Sequence, residues 1–183
     1  MNKLAIVLLL LMTNACKHKT TEQQFLEYVN NPENKITQQI KVGETQVTIK
    51  LLTDEYRQLL KKDIGTSAGE NESDYYYFNI KFAMKTNFKP EKEKILYLNF
   101  DMQKDFVMMA KSDSVPAAIC QKIENGVAGS YEYMLAFEKS RQQAEDDFKV
   151  FYQDKIFGTG TIVFVYMLDD IKKIPVLKNK LAK

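Results

Sequence analysis

Few residues in this chain can carry covalent or proton-transfer chemistry. The only histidine in 183 residues is His18. It follows Cys16 by two positions in a polar stretch, residues 17–22, that reads as a tether and is not expected to fix its ring. A general base or metal ligand needs that support, so His18 reads as a linker residue. Without a second histidine, Ser-His-Asp catalysis, Cys-His catalysis and His-based zinc sites are excluded. Cys120 ends the apolar run Ala117-Ala118-Ile119-Cys120 and is expected to act as a small buried hydrophobe. Gly158-Thr159-Gly160 leads into the β-branched run Thr161-Ile162-Val163 rather than a helix N-terminus, which makes it a turn and not a phosphate loop. The acidic pairs Asp146-Asp147 and Asp169-Asp170 lack the spaced oxygen ligands and glycine of a calcium loop. No metal and no cofactor is implied. Paired carboxylates remain the one enzymatic option, because their separation is set by tertiary structure.

A non-catalytic surface is easier to find. Alternation over residues 75–85 puts Tyr76, Phe78, Ile80, Phe82 and Met84 on one face and Tyr75, Tyr77, Asn79, Lys81 and Lys85 on the other, as in a half-buried antiparallel strand. The first set belongs to the core. On the second, Tyr75, Tyr77, Asn79 and Lys81 form a candidate partner or ligand surface, since each tyrosine joins a flat apolar body to a hydroxyl. Cross-strand packing, or cover by an inserted helix, is the simpler use of the same face.

Other elements must hold that strand. Phe25, Leu26, Tyr28 and Val29 recur at helical spacing before the breaker Asn30-Asn31-Pro32, which predicts a short helix that either docks or serves as a stalk. Residues 36–52 read as a hairpin turning at Gly43-Glu44, with Ile40 and Val42 alternating before it and Val47, Ile49 and Leu51 after. Thr53 can cap a following helix that has Asp54 and Glu55 in its first turn and Tyr56, Leu59 and Leu60 on one face. Glu70, Glu72 and Asp74 make an acidic loop. Pro90, Glu91 and Glu93 open a helix carrying Ile95, Leu96, Leu98, Phe100 and Met102. Residues 106–110 and 115–123 look like two strands joined around Ser112-Asp113-Ser114. Residues 131–138, 148–152 and 161–167 make three more, the last two adjacent. A turn at Asp169-Asp170 and a break at Pro175 precede a lysine-rich end. The resulting class is α+β, mainly antiparallel β: a β-sandwich with two or three inserted short helices, or alternatively an open sheet with helices on one side.

The N-terminus specifies an address. Lys3 precedes nine unbroken apolar residues, 4–12, and Thr13-Asn14-Ala15-Cys16 ends the run with a small residue before a cysteine. That is an export signal with a processing site, far short of the roughly 20 residues needed to span a bilayer. The segment resembles the signal peptide and relaxed lipobox of a bacterial lipoprotein. The resemblance implies cleavage before Cys16 and lipidation of that residue, and three acyl chains would make the attachment permanent. An ordinary secretory signal cut near Ala15 is the alternative. Lys17 stands where the sorting rule of that family places aspartate for inner-membrane retention, so the resemblance implies the outer membrane, with the chain facing the periplasm.

The second half, with residues 131–138, 148–152 and 161–166 in matching roles, resembles the closing strands of immunoglobulin-like sandwiches on envelope lipoproteins. The runs at residues 98–106 and 158–164 are also similar to uncharacterised envelope lipoproteins. That resemblance implies an immunoglobulin-like fold and brings no activity.

Composition fits this picture. Apolar residues at 45% and charged residues at 27% are ordinary for a globular chain. A net charge of +2 argues against a nucleic-acid binder held by phosphate neutralisation. The expected organisation is a cleaved signal peptide at 1–15, a lipidated cysteine and tether at 16–22, a single β-rich domain at 23–177 and a basic tail at 178–183. With Cys16 lipidated, Cys120 has no disulfide partner within the chain. The expected function is a lipid-anchored periplasmic accessory or assembly module, non-catalytic, that binds another envelope protein. The alternatives are a small-molecule or saccharide-binding lipoprotein and, third, a paired-carboxylate hydrolase.

Overall fold

The computed structural model describes residues 19–64, 74–85, 88, 90–111, 113–139 and 146–177. The chain enters as strand β1 (Lys19–Thr20) and helix α1 (Glu22–Asn30). The Thr21 hydroxyl accepts the Gln24 N–H at 3.3 Å, and the Gln24 carboxamide oxygen accepts the Thr21 N–H at 3.1 Å. This reciprocal cap satisfies donors that the first helical turn leaves open. Phe25 and Val29 are fully buried, so α1 docks on the domain and is no stalk. The expected tether is corrected at its inner end. Lys19 and Thr20 pair in parallel with Val176 and Leu177, and this pairing and the helix cap hold residues 19–22 to the fold. Cys16, Lys17 and His18, the signal segment and the basic tail at 178–183 lie outside the described residues, as do Glu70 and Glu72 of the acidic loop.

Next come strands β2 (Thr37–Val42) and β3 (Thr45–Leu52), helix α2 (Asp54–Ile64) and strand β4 (Tyr75–Met84). The β2–β3 hairpin turns at Gly43, whose φ of +56° suits a residue without Cβ. The Thr53 hydroxyl accepts the Tyr56 N–H at 3.2 Å and starts α2 as expected. Helix α3 (Lys92–Leu96) runs on through a π-helical turn at Tyr97–Asp101 and a 3₁₀ turn at Met102–Asp105. Then follow β5 (Phe106–Ala110), β6 (Asp113–Pro116), β7 (Ile119–Ile123), β8 (Ser130–Glu138), β9 (Phe148–Gln153), β10 (Thr161–Tyr166), the short helix α4 (Leu168–Lys172) and β11 (Val176–Leu177).

Two antiparallel sheets result. The five-stranded sheet has the order β2-β3-β4-β8-β7 and the four-stranded sheet the order β10-β9-β5-β6. The strand expected over 115–123 is two strands in different sheets: β6 pairs with β5, and β7 with β8. The crossing falls just after Pro116. There the Ala117 N–H bonds to Phe106 in one sheet at 3.2 Å, and the Ala118 N–H to Ala136 in the other at 2.8 Å. The expected turn at Asp169-Asp170 is likewise the first turn of α4.

The core lies between the sheets. Phe78, Ile80 and Phe82 of β4 point inward with Tyr133, Leu135 and Phe137 of β8, and they meet Phe148, Val150 and Tyr152 of β9 and Ile162, Phe164 and Tyr166 of β10, all buried. Ring centroids cross the interface at 4.9 Å for Phe82–Tyr152 and 5.4 Å for Phe78–Tyr166. Rings tilted at such distances add to the burial of their area. The period-2 alternation that fills this core also decides what each sheet shows outward.

Candidate functional site

Tyr75, Tyr77, Asn79 and Lys81 lie together on the outer face of the five-stranded sheet, as expected. All four are half-buried. The rings of Tyr75 and Tyr77 are 6.1 Å apart. The Arg57 guanidinium of α2 stands 4.2 Å over the Tyr77 ring and pairs with Asp54, so the inserted helix covers this end of the strand. The Asn79 amide donates to Glu132 Oε1 at 2.7 Å, while Asn125 donates to Glu132 Oε2 at 3.1 Å. Lys81 sits in register between Thr48 and Glu132. Further along, Lys50 Nζ bonds to Asn30 at 2.6 Å and Tyr56 at 3.1 Å, and the Gln46 amide to Gln39 at 3.1 Å. The polar groups of this face are largely spent on one another.

At one end of β4, Tyr75, Tyr76 and Tyr77 border a cleft of about 210 Å³ with Leu52, Lys139 and Ile174. Burial lowers the Lys139 pKa, and its ammonium lies 4.9 Å from the Tyr76 ring. Burial likewise raises the Tyr76 phenol above its ordinary value.

Two carboxylates that stood out by no motif are the most heavily bonded. Asp154, just after β9, accepts Tyr152 Oη, the Ile156 N–H and the Phe157 N–H on Oδ1, each at 2.8 Å. Its Oδ2 accepts the Thr159 N–H at 2.5 Å and the Thr159 hydroxyl at 3.0 Å. Burial alone would raise its pKa, but the bonds from Phe157, Ile156, Thr159 and Tyr152 overcome this and hold it below the ordinary value. Gly158 and Gly160 flank Thr159 at φ +71° and +68°. The Gly-Thr-Gly segment is thus a turn wound around Asp154. Asp105, its side chain fully buried, accepts Tyr97 Oη and, at 2.6 Å, Lys155 Nζ. Here desolvation outweighs the lysine, and the carboxyl is raised above its ordinary pKa.

Three members of the acidic pairs are also engaged. Asp146 pairs with Lys111 at 2.7 Å, Asp147 accepts the Leu168 N–H at 2.7 Å, and Asp170 pairs with Lys35 and Lys173. No group of three ligating side chains that could hold a metal occurs among the described residues. Cys120 is half-buried and faces the core side of β7 opposite Leu135. Burial and, secondarily, the charge of Asp105 push its thiol up to about 12, which keeps it unreactive.

The four-stranded sheet presents a different outer face. Val107, Phe151 and Val163 stand in one cross-strand row, and Met109, Lys149 and Val165 in the next. Met109, Val163, Val165 and Met167 are 36–41% exposed, with Lys149 as the charge among them. Sequence reading missed this surface because the alternation in β10 has apolar residues at both phases, Ile162, Phe164 and Tyr166 inward and Val163 and Val165 outward. That double phase was the available signal.

These features define a two-sheet antiparallel β-sandwich with short helices. No family model matches the chain, and no curated protein matches it. Among solved structures it is similar to a protein of unknown function from Burkholderia pseudomallei, at 8% identity and a TM-score of 0.44, over 83% of this chain and 87% of that one. No helix among the described residues is long and apolar enough to cross a membrane.

Proposed function

We infer that the chain is a non-catalytic module, anchored to the outer membrane by lipid on Cys16, that binds another envelope protein from the periplasmic side. The observation that carries this reading is the apolar outer face of the four-stranded sheet, where Met109, Val163, Val165 and Met167 are exposed together. An exposed apolar cluster rimmed by polar residues marks an interaction surface. The finer fold reading is immunoglobulin-like. It is supported by strand order: β3-β4-β8-β7 against β10-β9-β5-β6 corresponds to A-B-E-D against G-F-C-C′, with β2 as an added edge strand. The engagement of Asp105, Asp154, Glu132, Asp146, Asp147 and Asp170 as structural acceptors supports a non-catalytic role.

The anchor constrains the geometry. Only two residues, Lys17 and His18, separate Cys16 from Lys19, and the three chain steps span at most about 11 Å when extended, so a lipid on Cys16 would hold the β1–β11 end of the domain against the bilayer. A photo-cross-linking residue at Met109, beside one at Gln46 on the five-stranded face, tests the reading in intact envelopes. Capture of one defined envelope protein from Met109 alone, lost with Cys16→Ala, is expected. Equal capture from both positions, or none, sinks the protein-binding reading. Membrane fractionation of Cys16→Ala sinks the anchor.

A second reading, a small-molecule or saccharide site using Tyr75, Tyr77 and Lys81, draws on the cleft beside the two tyrosines. Its volume of about 210 Å³ falls below the roughly 300–1,000 Å³ of ordinary ligand pockets, and Lys81 does not border it. Saccharide binding abolished by Tyr77→Ala would restore this reading.

A further inference from the structure

β10 is the outermost strand of its sheet. Its run Thr161-Ile162-Val163-Phe164-Val165-Tyr166 contains no charge, proline or glycine, the residues that usually blunt an exposed edge. The Asp154 N–H bonds to Gly160, so the even-numbered residues of β10 face β9. By alternation, the N–H and C=O of Thr161, Val163 and Val165 face the open edge. Among the described residues only those of Val165 are taken, and a side chain takes both. Gln38 of β2 donates from Nε2 to the Val165 carbonyl at 2.8 Å and accepts the Val165 N–H on Oε1 at 3.3 Å.

A carboxamide that gives one bond and takes one from a single strand residue does what a neighbouring strand's backbone does. Gln38 therefore stands in for an adjacent strand and closes the edge at one position. Beside it, Pro32, Lys35, Gln39, Ile40 and Met167 line a groove of about 460 Å³ between the free edges of the two sheets. The exposed Val163 and Val165 side chains flank the same edge and offer apolar contact to every second residue of an added strand.

We propose that β10 is a strand-addition site, and that its occupant is an extended peptide segment of a partner protein, whose backbone amides displace the Gln38 carboxamide and pair with Thr161, Val163 and Val165. This deepens the protein-binding reading and rests on it. The Gln38 plug makes capture conditional, since the free edge must open before a strand can dock.

The test uses the full chain in mild detergent and a fluorescent synthetic peptide of alternating valine and threonine that copies no segment of this chain, with lysines added at both ends. Native protein should bind it weakly. Gln38→Ala should bind it about tenfold more tightly, as expected for removal of two competing hydrogen bonds. Gln38→Glu, which keeps an acceptor for the Val165 N–H but loses the donor, should fall between and serves if Gln38→Ala folds poorly. The same peptide with its central amides N-methylated should bind none of the three, and the unmodified peptide should slow hydrogen exchange at the Val163 amide. Equal affinity across the three proteins, undiminished binding of the N-methylated peptide, unchanged exchange at Val163, or no binding at all overturns strand addition. If Gln38→Ala instead pairs with itself and excludes the peptide, the occupant is a second copy and the proposal falls. Capture from Met109 in envelopes is independent of these outcomes, so failure here leaves the protein-binding reading separately testable.

Discussion

On the five-stranded sheet Asn79 and Asn125 hold the Glu132 carboxylate from two sides, and Arg57 covers the Tyr77 ring. On the four-stranded sheet Val107, Phe151 and Val163 stand in a row, and among the described residues no helix covers it. Both faces arise from the same two-residue alternation, and they end in opposite states. The first has polar side chains whose bonding capacity is consumed within the fold. The second has apolar area that the fold leaves uncovered. Residues that look reactive in a sequence are therefore not the ones most available, because tertiary structure satisfies polar groups first. Unpaired apolar area survives as the feature a partner can use.

The largest effect should ignore this contrast, because both faces share one interior. Phe78 is fully buried and its ring meets Phe137, Phe148 and Tyr166 at 5.8, 6.2 and 5.4 Å. Phe78→Ala is expected to cost about 3–5 kcal/mol, measured by urea unfolding, and to weaken both sheets together. Selective loss of one sheet's amide protection would mean that the sheets are separate cooperative units.

Next in size is Asp154. Removing a carboxylate that takes three backbone N–H bonds should cost about 2–3 kcal/mol in Asp154→Ala. Because the folded pKa is lowered, the stability it contributes is present above the ordinary value of about 3.9 and is lost as pH falls through the folded pKa. Asp105 has the opposite sign. Its folded pKa is raised, so its contribution is present below the ordinary value and is lost as pH rises through the folded one. Stability measured against pH should flatten on the acid side in Asp154→Asn and steepen there in Asp105→Asn. Parallel curves for the two variants would contradict these assignments.

How much of this was legible follows from range. The alternation in β4, the strands β8 and β10 and the Thr53 cap are local, and they read correctly. The break of 115–123 into strands of different sheets was hidden, because Ala117 and Ala118 take partners from Phe106 and Ala136 that no local pattern names. Gln38 meets a residue 127 positions away. The fourfold grouping of Tyr75, Tyr77, Asn79 and Lys81 was legible, and so was its cover by an inserted helix or cross-strand packing, whereas the particular partners Arg57 and Glu132 were not. Asp154 ahead of Gly158-Thr159-Gly160 has the chemistry of a side-chain-organised turn, and only the glycines drew notice.

The comparison of faces sharpens further with a matched pair. Glu132→Ala leaves Asn79 and Asn125 without their shared acceptor and should cost about 1–2 kcal/mol. Val163→Thr on the other face should change stability by no more than about 0.5 kcal/mol while reducing envelope capture from Met109. A large stability loss from Val163→Thr would show that the apolar face is part of the core and not a free surface.

The smallest effect has the reverse sign. Three tyrosines are buried in the core. Tyr133 Oη donates to the Leu98 carbonyl at 3.0 Å and Tyr152 Oη to Asp154 at 2.8 Å, whereas Tyr166 Oη has no partner among the described residues. Its ring stacks on Phe148 at 5.3 Å, and burial raises the phenol well above its ordinary pKa. A buried hydroxyl without a partner carries a desolvation cost that no bond returns. Tyr166→Phe keeps the ring and removes that cost, so it should raise stability by up to about 1 kcal/mol. Tyr133→Phe, which removes the bond to the Leu98 carbonyl, should lower stability by a similar amount. Tyr133 belongs to the five-stranded sheet and Tyr166 to the four-stranded one, so opposite signs in thermal unfolding would extend the contrast of the faces into the interior. Equal losses in both variants would mean that Tyr166 finds an acceptor in solution, and that the four-stranded sheet is as fully bonded as its neighbour.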